Sequence, residues 1–292
     1  MQDYWISFSA ILLEGIPFIL LGSLISGFIH SWAKPTLPFS FAHRGIGIGT
    51  ATVAGILLPL CECASMTIVR RFLQRGIPLY MGITYFLSGA ILNPITMFTT
   101  WVAFQNRNSL EMVSGRFCGG LILVVGIGYW IGSARPSDLL KPQKESFSPE
   151  CNHEGAKIKN SLFQAKLDFT VTLFYFTIGA AIAAGVSTYV SWWKIAPWME
   201  NPWLSPLIAI FMAQGMSLCS TVDAFIIAPL AEIPVHAKLA FLVAGPIFDL
   251  KLMAIYSMIF KPKIVFKLWG LITLGTLFLA WIYAWIQPFF FD

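Results

Sequence analysis

Residues 57–71 read LLPLCECASMTIVRR. An apolar run is interrupted by Cys61-Glu62-Cys63, resumes, and stops at Arg70 and Arg71. The segment is otherwise suited to hydrocarbon, so two thiols and a carboxylate need a reason to be there. Around it the chain is 57% hydrophobic and 11% charged, against about 25% charged in a soluble domain. The mean hydropathy is +0.73. Too little polar surface remains to cover a soluble core. Continuous apolar runs of about 20 residues match a bilayer core of about 30 Å. The alternating ~10-residue segments of a membrane barrel are absent. The expected fold class is therefore all-α, a polytopic membrane protein.

Eight transmembrane spans are expected, at about 6–30, 45–69, 78–104, 113–133, 166–190, 203–230, 236–260 and 265–288. The start, MQDYWISFSAILLEGIPF, has no basic n-region or A-x-A-like site and reads as a retained first span. Residues 134–165 are rich in Pro, Ser and charge and read as a flexible polar linker. The expected organisation is a first transmembrane repeat over 1–133, the linker over 134–165, and a second repeat over 166–292. Eight spans would put both termini and the linker on one side, expected to be cytoplasmic.

The two halves are suggested by a shift of 156 residues. It places Cys63 on Cys219, Ile77-Pro78 on Ile233-Pro234, Gly89 on Gly245, Ile91 on Ile247, Met97 on Met253 and Phe104 on Phe260. Asn93 falls on Asp249, nearly its isostere. Transporters are often built from two such repeats, with the site at their interface near mid-membrane. Four spans per half would make the repeats parallel. Halves whose second and sixth spans broke in two would be inverted.

The net charge of +5 is no nucleic-acid signal, because the basic residues lie at span ends and in the linker. The five Cys do not form a secreted disulfide framework, since Cys61, Cys63 and Cys219 lie in apolar segments. On a regular helix, residues two apart point to nearly opposite sides. Cys61 and Cys63 can share one site only if the helix unwinds there, which Pro59 and the preceding glycines favour. Irregular backbone is tolerated at membrane depth where it lines a cavity. Glu62 and Asp223 are carboxylates in apolar spans, costing about 2.5–3.5 kcal/mol or more unless paired, protonated or facing a cavity. Gly89-Ala90-Ile91-Leu92-Asn93-Pro94 and Gly245-Pro246-Ile247-Phe248-Asp249-Leu250-Lys251 each place a weak helix point before a polar residue. From a straight helix Asp249 and Lys251 would not face one partner. Glu14, beside Pro17, is either a proton-relay member or an interfacial residue. Cys151-Asn152-His153 in the linker is a weak metal-ligand pattern. No Walker A, C-x-x-C, H-E-x-x-H or G-x-S-x-G sequence marks an ATPase, thiol oxidoreductase or intramembrane protease.

LLPLCECASMTIVRRFLQRGIPL, YFLSGAILNPIT, SLCSTVDAFI and VAGPIFDLKLM together resemble the predicted permease family that includes the organoarsenical efflux permeases. The similarity runs through both halves. It implies an inner (plasma) membrane, multi-pass permease exporting a trivalent organoarsenical such as methylarsenite. Trivalent arsenic is soft and thiophilic, and thiolates select soft ions. The expected substrate-binding residues are Cys61, Cys63, Cys219 and Asn93. Glu62, Asp223 and Asp249 are expected to carry protons or balance charge. No cofactor, resident metal or nucleic acid is expected; the partners are a small-molecule substrate and the lipid bilayer, with a homo-oligomer left open. Two other readings are a permease for an unrelated small molecule or anion with structural cysteines, and a membrane thiol-redox or assembly factor.

Overall fold

The computed structural model describes residues 2–32, 43–58, 60–74, 76–105, 109–133, 154–189, 199, 201–230 and 232–290. The elements are helices: α1 Gln2–Trp32, α2 Arg44–Leu57, α3 Glu62–Gln74, α4 Leu79–Ile91, α5 Pro94–Ala103 and α6 Ser109–Ser133. They continue as α7 Glu154–Tyr189, α8 Ser205–Met216, α9 Asp223–Ile227, α10 Val235–Ile247, α11 Leu250–Ile259 and α12 Pro262–Phe290. Cys151, Asn152 and His153 lie outside the described residues. The expected linker is shorter at its second end, because α7 starts at Glu154 and makes 154–165 helical.

Six helical stretches, not eight, are long and apolar enough to cross a bilayer among the described residues. Four are α1, α6, α7 and α12; the others are α4 with α5, and α10 with α11. The expected second and sixth spans are each interrupted. With 14 and 13 residues, α2 and α3 are about 21 and 20 Å long at 1.5 Å per residue, too short for a core of about 30 Å.

Side-chain contacts give the direction of each limb. α2 runs parallel to α4, with Gly47 against Tyr80 and Gly55 against Ser88. A Cβ on Gly55 would collide with Ser88 Oγ and Tyr85 O, so glycine sets that close approach. α3 runs back along α4, with Val69 and Leu73 against Gly82. Thus α2 and α3 enter and leave on one face, as a re-entrant hairpin. The second hairpin mirrors it. Ser205 Oγ meets His236 Nε2 at 3.2 Å and Ala213 lies against Gly245, so α8 runs parallel to α10. The return limb brings Ala228 O to Lys238 Nζ at 3.3 Å.

The crossing helices fix opposite entry faces for the two hairpins. α1 and α7 are antiparallel, with Tyr4 Oη donating to Ala181 O (3.4 Å) and Ser26 Oγ to Asp168 (2.6 Å). α6 is antiparallel to α4, placing Gly120 against Ile91 and Gly132 against Tyr80. It is parallel to α10, placing Gly115 against Leu239 and Gly119 against Val243. Therefore α4 and α10 run in opposite directions, and the hairpins that accompany them approach from opposite sides. Helix bounds also recur at the 156-residue offset. Shifting Leu79–Ile91 gives 235–247, the bounds of α10, and shifting Pro94–Ala103 gives 250–259, the bounds of α11.

Both α4–α5 and α10–α11 break at the expected polar residue. Pro94 disfavours helical backbone at Asn93, whose side chain then caps α5 by accepting Ile95 N–H at 2.9 Å. Asp249, in extended backbone, caps α11 by accepting Leu252 N–H at 2.6 Å.

Six crossings would put the start of α1 and the end of α12 on one face, and the end of α6 and the start of α7 on the other. The expected eight spans would instead put all of these ends on one side. A reporter fused after residue 292 and one inserted within 134–153 should report opposite faces of the membrane. Equal protection of both from a membrane-impermeant protease would restore an even number of crossings per half.

Candidate functional site

The two hairpin tips, which approach from opposite sides, meet through Glu62, Ser220 and Lys251. At the first, α2 ends at Leu57 and α3 starts at Glu62, with Cys61 on non-helical backbone between them. Cys61 Sγ accepts the Ala64 N–H at 3.4 Å, one of the donors that the first turn of α3 leaves free. At the second, α8 ends on Ser217, whose φ of 51° and ψ of 46° are left-handed. A non-glycine residue there costs about 1–3 kcal/mol and persists only where neighbours hold it. Ser217 is held three ways. Its hydroxyl donates to Gln214 O (3.2 Å) and accepts Leu250 N–H (3.2 Å), and its carbonyl accepts from Lys251 Nζ (3.0 Å).

Lys251 binds the two tips together. Its ammonium also donates to Leu218 O at 3.1 Å. It lies 3.4 Å from Asp249 Oδ2 and 3.9 Å from Glu62 Oε2. Glu62 Oε1 in turn accepts the Ser220 N–H of the second tip at 3.3 Å. Glu62, Asp249 and Lys251 are 3%, 1% and 5% exposed. Asp249 and Lys251, two residues apart, do meet: the helix is broken at Phe248, Asp249 stands before its first turn, and Lys251 stands within it. Gly179 of α7 makes room for that turn, since a Cβ there would press on the Lys251 backbone.

A small, partly open cavity with room for about one water molecule lies against this junction. Cys61, Glu62, Cys63, Cys219 and Lys251 form one wall. Glu14 and Phe18 of α1 and Phe176 of α7 form the other. The unwound tip lets Cys61 and Cys63 face one space, which a regular helix would not allow. Cys219 joins them from the second hairpin; its sulfur accepts from Thr221 Oγ1 at 3.4 Å. The cavity thus presents three soft sulfurs, the carboxyl groups of Glu14 and Glu62, and the Lys251 ammonium.

Other expected site residues lie elsewhere. Asn93 caps α5 and does not line the cavity. Asp223 is held by Arg116 through two contacts, 2.7 and 3.2 Å. Arg116 is fully buried and also donates to Thr100 Oγ1 (2.8 Å) and Ser220 O (3.4 Å). It therefore joins α5, α6 and the second hairpin. The site residues expected from sequence do not include Arg116; its place inside an apolar run is the signal that marks it. A second buried pair, Arg71 with Asp168 at 2.6 Å, fastens the first hairpin to α7, and Ser26 and Gln164 complete it. Each hairpin is thus held to a crossing helix by an ion pair.

Crossing helices around a polar, cavity-lined junction of two re-entrant hairpins define a multi-pass membrane permease. The chain belongs to the ArsP_1 predicted permease family, whose family model matches residues 5–285. UPF0718 protein YcgR of Bacillus subtilis (strain 168) is 34% identical over 267 residues, 89% of this chain and 90% of that protein. A Streptococcus mutans (serotype c) protein named as a two-component membrane permease complex subunit is 34% identical over 272 residues, 90% of this chain and 89% of its own. No solved structure matches the chain.

Removing one member of a buried ion pair strands the other and costs about 3–5 kcal/mol, whereas replacing both by apolar residues is often neutral. Asp223→Ala should lower thermal stability in detergent by about that amount. Asp223→Leu with Arg116→Leu should recover most of it. A single variant as stable as the parent would show that the pair does not hold the second hairpin.

Proposed function

We propose that the protein is a secondary transporter that exports a small thiophilic solute, a trivalent organoarsenical being the type case, in exchange for protons. The observation that carries this reading is the convergence of Cys61, Cys63 and Cys219, from two hairpins, on one cavity. Two thiols capture a monomethylated trivalent arsenical without redox change. Two As–S bonds form, two As–OH bonds break, and each hydroxyl leaves as water with a thiol proton. Such ligation is reversible in water, and an exporter must let go on the far side. A closed four-ligand site would hold too tightly.

Alternating access follows from the arrangement. Two inverted halves, each with three crossings and one hairpin, give opposite faces equivalent gates. The recurring helix bounds and the opposed hairpins support two such halves, with a boundary in 134–153. Asn93 acts at a distance, by shaping the start of α5, and Asp223 acts by fastening the second hairpin.

Orientation follows from charge. Arg44, Arg70, Arg71, Lys159, Lys261, Lys263 and Lys267 belong to the face that also receives the 134–153 connection with Arg135, Lys141 and Lys144. The positive-inside rule makes that face cytoplasmic and puts both termini outside a plasma (inner) membrane. This reverses the orientation expected from eight spans. The name of the Streptococcus mutans relative adds a second membrane component, or a second copy, as a partner to look for.

Everted vesicles should accumulate methylarsenite in preference to inorganic arsenite, and a proton gradient should drive the uptake. Cys61→Ser, Cys63→Ser and Cys219→Ser should each reduce it at least tenfold at normal protein levels. Unchanged uptake in all three removes the thiols from the site and leaves a permease for another solute. A Cys61–Cys63 or Cys63–Cys219 disulfide that forms and breaks during turnover, seen by thiol-trapping mass spectrometry, would favour a redox factor.

A further inference from the structure

Glu62, Asp249 and Lys251 do not balance. Two carboxylates face one ammonium, and all three are more than nine-tenths buried. Fully ionised, the group carries one uncompensated negative charge beside the cavity. The buried cation of the second hairpin's own ion pair, Arg116, is closed on Asp223, so that pair adds nothing. Around Glu62, its own hairpin contributes Cys61 and Cys63 and the second contributes Cys219. α1 contributes Glu14 at the mouth, and α7 contributes Phe176. From α11, Asp249, Lys251 and Tyr256 complete the surroundings. None of these supplies the missing positive charge.

A bare charge in a low-dielectric interior is strongly disfavoured, so the group takes up one positive charge. A metal ion does not fit. Hard cations need several oxygen ligands, the Ser217 and Leu218 carbonyls already bind Lys251, and no metal-holding group of His, Cys, Asp or Glu occurs among the described residues. A proton does fit.

The three carboxylates differ in what already holds them. Asp223 has its two contacts from Arg116. Asp249 Oδ1 caps α11 at 2.6 Å, and the helix N-terminus favours its anion. Asp249 Oδ2 makes no hydrogen bond and turns to Lys251, its closest cation, at 3.4 Å. Glu62 has one hydrogen bond, from Ser220 N–H at 3.3 Å, and a longer ionic contact of 3.9 Å. It is also the only one of the three on the cavity wall.

We propose that Glu62 carries a single exchangeable proton, and that Lys251 is the fixed internal counter-ion that limits the exchange to one. This rests on the transporter reading and names its coupling group. With the Glu62 O–H bond intact, Lys251 neutralises Asp249 and the group carries no net charge. When that bond breaks, the proton passes to cavity water and the electron pair stays on Glu62. Lys251 is then shared by both carboxylates. Because it also holds the Ser217 and Leu218 carbonyls, the ionised Glu62 draws the two tips together. Protonation lets them part. Lys251 acts here as a positioning residue.

The test is infrared difference titration of the full chain in nanodiscs, without substrate. The parent should show one protonated-carboxyl C=O band that disappears as pH rises. Glu62→Gln, a neutral mimic that keeps an acceptor for Ser220, should lack that band, and Glu14→Gln should keep it. Lys251→Gln leaves two carboxylates unopposed and should show a second band. Adding Glu62→Gln to it should return the count to one. A band that persists in Glu62→Gln, or no second band in Lys251→Gln, overturns the inference. In proteoliposomes, methylarsenite addition should move protons with the parent and not with Glu62→Gln. Methylarsenite flux without proton movement sinks the coupling role and leaves the transport reading standing. No flux in the parent sinks the transport reading, while the infrared result still decides Glu62.

Discussion

Lys251 reaches from the first turn of α11 to the carbonyls of Ser217 and Leu218, and across to Glu62 on the other hairpin. In hydrocarbon no water would replace those contacts, so the ammonium can exist there only if the two tips come to it. The rest of the architecture serves that meeting. α10 must break before α11 for Lys251 to sit in a first turn, and α8 must end on a left-handed residue for its carbonyls to turn inward. α7 must carry a glycine at position 179 for the junction to close.

Interrupting a helix in a membrane releases backbone groups that need partners, and three of the breaks here are answered locally. Cys61 accepts from Ala64, Asn93 from Ile95 and Asp249 from Leu252. The caps are side chains with a second use available. Cys61 lines the cavity while capping α3, and Asp249 pairs with Lys251 while capping α11. The same chemistry that makes a broken helix tolerable therefore places polar groups at the cavity. The two outer ion pairs have the complementary task. Arg71 with Asp168 and Arg116 with Asp223 hold each hairpin to a crossing helix.

Part of this was legible from residues alone. Composition excluded a soluble core. Pro94 and Asp249 marked the breaks in the two interrupted crossing helices, and the Cys61-Glu62-Cys63 stretch marked the first hairpin tip. The 156-residue shift, weak by identity, later coincided with helix bounds in α4, α5, α10 and α11. Other features were misread because they depend on chain direction. A segment of apolar residues broken in the middle has the same composition whether it crosses or turns back. Hydropathy therefore gives eight apolar segments, while six helical stretches among the described residues are long and apolar enough to cross a bilayer. Arg116 is not marked as a site residue by sequence, because its partner, Asp223, lies 107 residues away.

Local chemistry thus determined the class of protein, the places where helices stop and the residue types near those places, because hydropathy, proline sterics and capping act over a few residues. Tertiary structure decided which face each limb returns to, that Cys219 joins Cys61 and Cys63, and that Asp223 belongs to Arg116 while Asp249 belongs to Lys251. Those outcomes depend on which distant group reaches an unpaired charge or backbone amide first in space, and that is a property of the packed helices rather than of any stretch of sequence.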